Sequence, residues 1–246
     1  MSNIAHLAAH AARQVQQAQA VVTHNLANSG TTGFKADLFQ AKSLYIDGGP
    51  LDSAVMTGSH GKGVDFSPGT VTQTGRDLDI AITGEGWLQV VADDGTLALS
   101  RRGDLKVDTD GFLKDATGKT LMGNGGPISL PDYSSLTIGS DGTISIVPLG
   151  ELPTSLVTLD RLMLVNPPED DLEKGLDGMV RVPNMESLEP DANVRIAVGA
   201  LETSNVSSVG AMVEMIQLAR TFEQHIQTIK SAEELDASSS SIMKLE

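Results

Sequence analysis

Cysteine is absent from the 246 residues, so neither a disulfide nor a thiolate metal site can form, and either redox compartment is open to the chain. Aromatic residues are scarce, at 3%, with Trp87 the single tryptophan. Basic residues are few: 17 Lys and Arg stand against 32 Asp and Glu, a formal net charge of -15. That balance argues against a nucleic-acid partner, whose phosphates need clusters of Lys and Arg. It argues equally against docking on anionic lipid. No apolar run approaches the roughly 20 residues of a membrane span. Met1 to Arg13 shows no basic lead into an apolar stretch, so no ordinary secretory signal is expected.

The motifs of catalysis are missing as well. There is no Gly-x-Ser-x-Gly elbow, no Walker loop and no His-Glu-x-x-His. Gly84-Glu85-Gly86 reads as a turn between strands. Asp108-x-Asp110-Gly111 resembles half a calcium loop, but the remaining oxygen ligands are not at the needed spacing, and an Asp-Gly hairpin turn explains it. Glu169-Asp170-Asp171 with Glu173 reads as a solvated acidic loop after Pro167-Pro168. His6 and His10, four apart on a helical pattern, read as polar residues beside a seam. Met212 and Met215 read as helix packing and not as a soft-metal site. No catalytic residue, metal ligand, cofactor or small-molecule substrate is expected.

What is present begins with length: 246 residues can bury one large core or two modest ones. Ile4, Ala8, Ala11, Val15, Ala18, Val22 and Asn25 recur at steps of four and three, the signature of a heptad seam. The pattern closes at Asn28, Gly30 and Gly33, residues that tolerate left-handed backbone, so the helix is expected to stop and turn sharply there. Three of these seven seam residues are alanine. Burying a Val or Ile yields about 1.5–3 kcal/mol, and ordering a residue costs about 1–2 kcal/mol. The helix is therefore expected to fray in a lone chain and to need cover on both sides. At the other end Met212, Met215, Ala219, Phe222, Ile226 and Ile229 repeat the spacing, with Ser207 as N-cap. Gly210 at the third helical position precludes a capping box. The seam stops after Ile229, ahead of the low-complexity run Ser238 to Ser241.

Between the helices the chain reads as β. Asp77 to Ile82, Trp87 to Val91, Leu105 to Val107, Leu136 to Ile138, Thr143 to Val147 and Val194 to Val198 are short strand patterns. Asp94-Gly95, Asp110-Gly111, Gly118 and Asp141-Gly142 supply the tight turns between them. The expected fold class is α+β: N- and C-terminal helices forming a coiled-coil-like pair, with a central, mainly antiparallel β domain closed as a small barrel or sandwich. The expected division is helix and turn at 1–35, an extended arm at 36–75 with weak strand tendency at Lys42 to Ile46, a β domain at 76–200, and a C-terminal helix at 201–246.

Three groups of residues resemble one family. Asn25-Leu26-Ala27-Asn28 with Thr31-Thr32-Gly33-Phe34-Lys35 looks like the N-terminal signature of flagellar basal-body rod and hook proteins. Glu202 to Val206, running into Met212 to Ile216, looks like their C-terminal signature. Asp77 to Trp87, Arg101-Arg102-Gly103 and Asp108 to Gly111 look like their shared β core, departing from it at Leu99, Arg102 and Leu105. Leu159 to Pro168 and Lys174 to Gly178 are most similar to the proximal-rod member. The resemblance implies a structural subunit that polymerises through its terminal helices, with no catalytic role. It implies other proximal-rod subunits, distal-rod subunits, further copies of the chain and the flagellar type III export apparatus as partners. It implies a place in the periplasmic rod, reached with an uncleaved N-terminal signal. Phe34 to Leu38 is a candidate export-recognition segment, although Phe34 anchoring the turn explains it equally. The residues expected at the assembly interface are Ile4, Val15, Val22, Asn25, Leu26, Asn28, Gly33, Phe34, Asn205, Met212, Met215, Phe222, Ile226 and Ile229. The alternatives are a distal-rod or hook-like subunit, or, from a different class, a secreted β-domain enzyme or calcium-binding module.

Overall fold

The computed structural model describes residues 3–45, 55–152, 154–175, 177–185 and 188–243. The chain divides into two compact units, one comprising residues 1–29, 36–65 and 206–246, the other residues 30–35 and 66–205. The class is α+β, with a helix at each end and mainly antiparallel sheet between.

The first unit holds helix α1 (Asn3–Ala27), the antiparallel hairpin β1 (Asp37–Tyr45) and β2 (Val55–Val64), and helix α2 (Ser208–Met243). α1 is rich in alanine, the best helix former, and contains neither Gly nor Pro. Its end differs from expectation. Neither Asn28 nor Gly30 takes a positive φ, and only Gly33, at φ 67, is left-handed. The last turn is instead closed by hydrogen bonds. The Asn28 amide donates to His24 O at 3.2 Å and its Nδ2 donates to the same oxygen at 3.0 Å. Ser29 adds its Oγ on Leu26 O at 2.8 Å.

α2 starts as the sequence indicates. Ser207 Oγ accepts the Gly210 amide at 3.2 Å, and Ser207 O accepts the Ala211 amide at 2.9 Å. The helix then runs on through the Ser-rich stretch, because nothing after Gly210 breaks the ladder. α1 and α2 pack on each other. Ala8, Ala12, Ala18 and Val22 are buried on α1, and Ala211 and Ala232 on α2. The cover that α1 was expected to lack in a lone chain is thus supplied on one side by its own C-terminal helix. Within 36–75, expected as an extended arm, β1 and β2 pair antiparallel; the Gly48-Gly49-Pro50 signal lies outside the described residues.

The second unit is the β unit. Its strands are β3 (Val71–Gln73), β4 (Ile80–Thr83), β5 (Trp87–Val91), β6 (Leu97–Ser100), β7 (Leu105–Val107), β8 (Leu113–Asp115), β9 (Thr120–Gly123) and β10 (Gly126–Pro127). They continue with β11 (Tyr133–Ile138), β12 (Thr143–Pro148), β13 (Val157–Arg161), β14 (Leu164–Val165), β15 (Glu173–Lys174), β16 (Val180–Arg181), β17 (Arg195–Val198) and β18 (Ala200–Glu202). The largest sheet runs β15-β16-β6-β5-β9-β8-β7, with β14 on β5 and β10 on β9. β11-β12-β13 form a meander, and β17 pairs with β4 and β18 with β3. One core serves the largest sheet, the meander and the β17-β4 pair, built from Ile80, Leu88, Val90, Leu105, Leu113, Leu121, Ile144, Leu162 and Leu164 among others. A second cluster, around Trp87, Leu99, Val165 and Val180, receives Phe66. The Asp-Gly turns form as expected, with Gly95, Gly111 and Gly142 all at positive φ. Asp94 and Asp141 each brace their turn by accepting from the amide and hydroxyl of the following Thr96 or Thr143.

Candidate assembly interface

In the helical unit the structure sorts the expected interface residues into three groups. Val22 is buried, and Val15, Leu26, Met215, Phe222, Ile226 and Ile229 are half-buried. Asn25 is occupied locally: its Nδ2 donates to Asp37 O and its Oδ1 accepts the Asp37 amide, both at 2.8 Å, so it clamps the start of β1 to the end of α1. His24 Nδ1 adds a contact to Asp37 Oδ2 at 2.8 Å. Asn28 caps the helix. Ile4 lies in the first turn of α1, its side chain outside the described residues.

The third group is uncovered. Met212 is 52% exposed, and beside it lie Val209 at 71%, Val213 at 50% and Ile216 at 55%. The spacing 209, 212, 213, 216 places all four on one face of the first three turns of α2. Contiguous large apolar side chains left in water mark an interaction surface. Covering half of each would contribute roughly 3–6 kcal/mol in total at about 1.5–3 kcal/mol per full side chain.

In the β unit the remaining expected residues meet at a cluster of buried charge. Glu202, at the end of β18, is 1% exposed; Lys35 is 4% and Arg101 5% exposed. Lys35 Nζ donates to Glu202 Oε1 at 2.7 Å and to Ser67 O at 2.7 Å. Arg101 Nη1 donates to Glu202 Oε2 at 3.0 Å, and the Gly69 amide to Oε1 at 2.9 Å. The Arg101 guanidinium also lies 5.3 Å from the centre of the Trp87 ring, which Phe66 meets edge-on. Burial alone pushes the Glu202 carboxyl up. The Lys35 hydrogen bond, the Gly69 amide and the Arg101 charge outweigh it and hold the group below the usual glutamate range.

Around this cluster the turn 30–35 is seated by backbone. The Gly33 amide donates to Glu202 O at 2.9 Å, and Phe34 O accepts the Asn205 amide at 3.3 Å. Asn205 Nδ2 reaches Ser67 O at 3.2 Å. Lys174 Nζ sits 4.4 Å over the Phe34 ring and donates to Lys35 O at 3.0 Å. A Cβ on Gly33 would lie 2.6 Å from Arg101 O and 2.7 Å from Arg102 N, so only glycine permits this approach. Among the described residues no three acidic or histidine side chains converge as a metal site. Asp108, in the half calcium loop, is taken by the Thr109 amide and by Lys114.

Three family models match the chain. Residues 7–35 match the flagella basal body rod protein model, residues 81–146 the D1 domain of flagellar hook protein FlgE/F/G, and residues 197–242 the C-terminal segment of flagellar basal body rod FlgEFG proteins. Over all of both chains the sequence is 35% identical to flagellar basal-body rod protein FlgF of Salmonella typhimurium. It is 34% identical to FlgF of Escherichia coli, with 95% of each chain covered. The chain belongs to the flagellar basal-body rod protein family. A further relative is rod protein FlgG of Bacillus subtilis, 32% identical over 87% of this chain and 89% of its own. As a member of that family the chain is a structural subunit of the basal-body rod, and it assembles with other rod and hook components. Each matched segment supplies one member of the buried cluster: Lys35 from the first, Arg101 from the second, Glu202 from the third. The sequence reading missed all three. The available signal was three charges inside family motifs, but a partner 167 residues away cannot be read from spacing.

Proposed function

We propose that the chain is a proximal-rod subunit that polymerises through its terminal helices into a hollow, torque-transmitting axial structure. The observation that carries this reading is the uncovered stripe Val209, Met212, Val213 and Ile216 on a helix that also packs on α1. Head-to-tail contacts whose rotation does not close produce a helical polymer and not a ring. Neighbouring copies and other rod subunits cover the stripe, and distal-rod subunits lie beyond. Torque passes through packed surfaces, so no side chain needs to act as acid, base or nucleophile. In this reading the subunit is exported by the flagellar type III apparatus and stands in the periplasmic rod, a location that its basal-body rod relatives support. The two FlgF relatives, at 34–35% identity over nearly all of the chain, support the proximal position. The FlgG relative supports a distal-rod subunit as the second reading.

The test replaces Met212, Val213 and Ile216 together by glutamine in a strain lacking the native gene. Exposed positions change stability by roughly 0.5 kcal/mol or less, so the purified variant should unfold as the wild type does while rod incorporation and swimming are lost. Normal incorporation of the triple variant would refute assembly through this face.

A further inference from the structure

Asparagine is followed by glycine once in the chain, at Asn124-Gly125. The pair forms the turn between β9 and β10, whose flanking residues Gly123 and Gly126 face each other across it. Both turn residues are exposed. Among the described residues neither the Asn124 side chain nor the Gly125 amide has a hydrogen-bond partner. Other asparagines are engaged: Asn25 holds Asp37, Asn28 caps α1, Asn193 donates to Asp191 and Asn205 reaches Ser67. Each of those four is followed by a residue that carries a side chain. Asparagine is chemically labile, and a glycine nitrogen next in the chain is the least shielded neighbour it can have, since no Cβ stands beside it.

We propose that Asn124 is a site of spontaneous covalent modification, deamidated in the folded chain by its own neighbour. The Gly125 nitrogen forms a bond to Asn124 Cγ and gives up its proton to solvent. The Cγ–Nδ2 bond breaks, and the side-chain nitrogen takes up a proton and leaves as ammonia. Water then opens the cyclic imide at either carbonyl. One opening leaves aspartate at position 124; the other leaves a backbone that runs through the side-chain carbon. No oxidant, reductant or enzyme takes part. Either product adds a negative charge to a turn against which the Asp160 carboxylate already lies. A Cβ on Gly123 would meet Asp160 Oδ2 at 2.2 Å, and one on Gly125 would meet it at 3.6 Å. Like charges held close together repel. The turn also ties β9 to the chain leaving β13: the Asn124 amide donates to Arg161 O at 3.1 Å, and the Met163 amide to Met122 O at 2.9 Å. Deamidation therefore loosens the join between the largest sheet and the meander. The modification belongs to this one turn and stands apart from the assembly of the subunit.

Incubation of the full-length protein in mildly alkaline buffer, followed by peptide mapping with mass spectrometry, tests this. Asn124 should convert ahead of every other asparagine, at a rate within a few-fold of that in the urea-unfolded chain. Gly125→Ala shields the attacking nitrogen. The fold admits the added methyl, because Gly125 has no positive φ and its nearest neighbour, Asp160 Oδ2, stands at an ordinary contact of 3.6 Å. That variant should unfold as the wild type does and convert Asn124 at least severalfold more slowly. In the converted fraction of the wild type the Met163 amide should exchange hydrogen at least severalfold faster, while the Leu105 amide keeps its protection. An Asn124 that survives in the folded chain and converts only in urea would overturn the proposal, because the turn would then shield the bond. So would conversion led by another asparagine, or conversion undiminished in Gly125→Ala. Unchanged Met163 exchange in the converted fraction would overturn the loosening of the join.

Discussion

Gly30 and Gly33 stand three residues apart in one turn, yet replacing each by alanine should have opposite effects. Gly30 is exposed, lacks a positive φ, and has nothing within 4 Å of where a Cβ would stand. Gly30→Ala therefore restricts the unfolded chain without straining the folded one, a gain of about 0.4–1 kcal/mol. Gly33 sits at φ 67, where an L side chain costs roughly 1–2 kcal/mol. Its Cβ would also be driven into the Arg101–Arg102 peptide at 2.5–2.7 Å. Backbone cannot yield as a side chain can, and overpacking of this kind adds about 1–3 kcal/mol. Gly33→Ala should thus lose roughly 2–5 kcal/mol of the free energy that holds the turn and its charge cluster together. Urea unfolding followed by the fluorescence of Trp87, the single tryptophan and a neighbour of Arg101, reads this directly. With an m-value of about 2 kcal/mol per molar, the midpoint should fall by roughly 1–2.5 M for Gly33→Ala and rise slightly for Gly30→Ala. A Gly33→Ala midpoint within about 0.3 M of wild type would refute the steric argument. Equal losses in both variants would do the same, since the turn would then resist substitution for some reason other than the close approach.

Two further predictions concern charge and core. Glu202 is held below the usual glutamate range when folded, so its contribution to stability is present above the unfolded value and is lost as pH falls through the folded one. The urea midpoint should be flat above about pH 5 and drop below about pH 4, and Glu202→Gln should flatten the acid limb; an unchanged limb counts against the cluster as its source. In the core, Leu113 is fully buried whereas Leu149 is exposed. Leu113→Ala should cost about 2–5 kcal/mol in thermal or urea unfolding, and Leu149→Ala no more than about 0.5 kcal/mol; comparable losses would contradict the placement of the core.

What could be read in the sequence was local. The Asp-Gly pairs fix where hairpins turn because few other sequences accept positive φ, and Ser207 announces a helix start because its hydroxyl can reach the Gly210 amide. Strands such as β8 and β9 escaped notice because Leu113-Lys114-Asp115 holds one apolar residue and Thr120 to Gly123 two adjacent ones, so neither alternates. The hairpin of β1 and β2 escaped because glycines at 58, 61 and 63 and a bulge between Phe39 and Ala41 blur any alternation. Asn25 was assigned to contacts with other molecules, yet it is engaged by the Asp37 backbone, a pairing set by how the chain returns after the turn. The candidate site was visible only as separate motifs. Lys35, Arg101 and Glu202 stand in three separate motifs, and only the fold shows them sharing one dry place.

The Asp-Gly turns carry a liability along with their geometry. An aspartate followed by glycine rearranges slowly to isoaspartate when the glycine nitrogen attacks the side-chain carboxyl, which lengthens the backbone by one atom. Asp94, Asp141 and Asp177 have their carboxylates tied to the amides of Thr96, Thr143 and Met179, which holds them away from that attack. Asp110, ahead of Gly111, has no side-chain hydrogen bond among the described residues. Among the Asp-Gly turns of the described residues, this rearrangement should therefore begin at that hairpin.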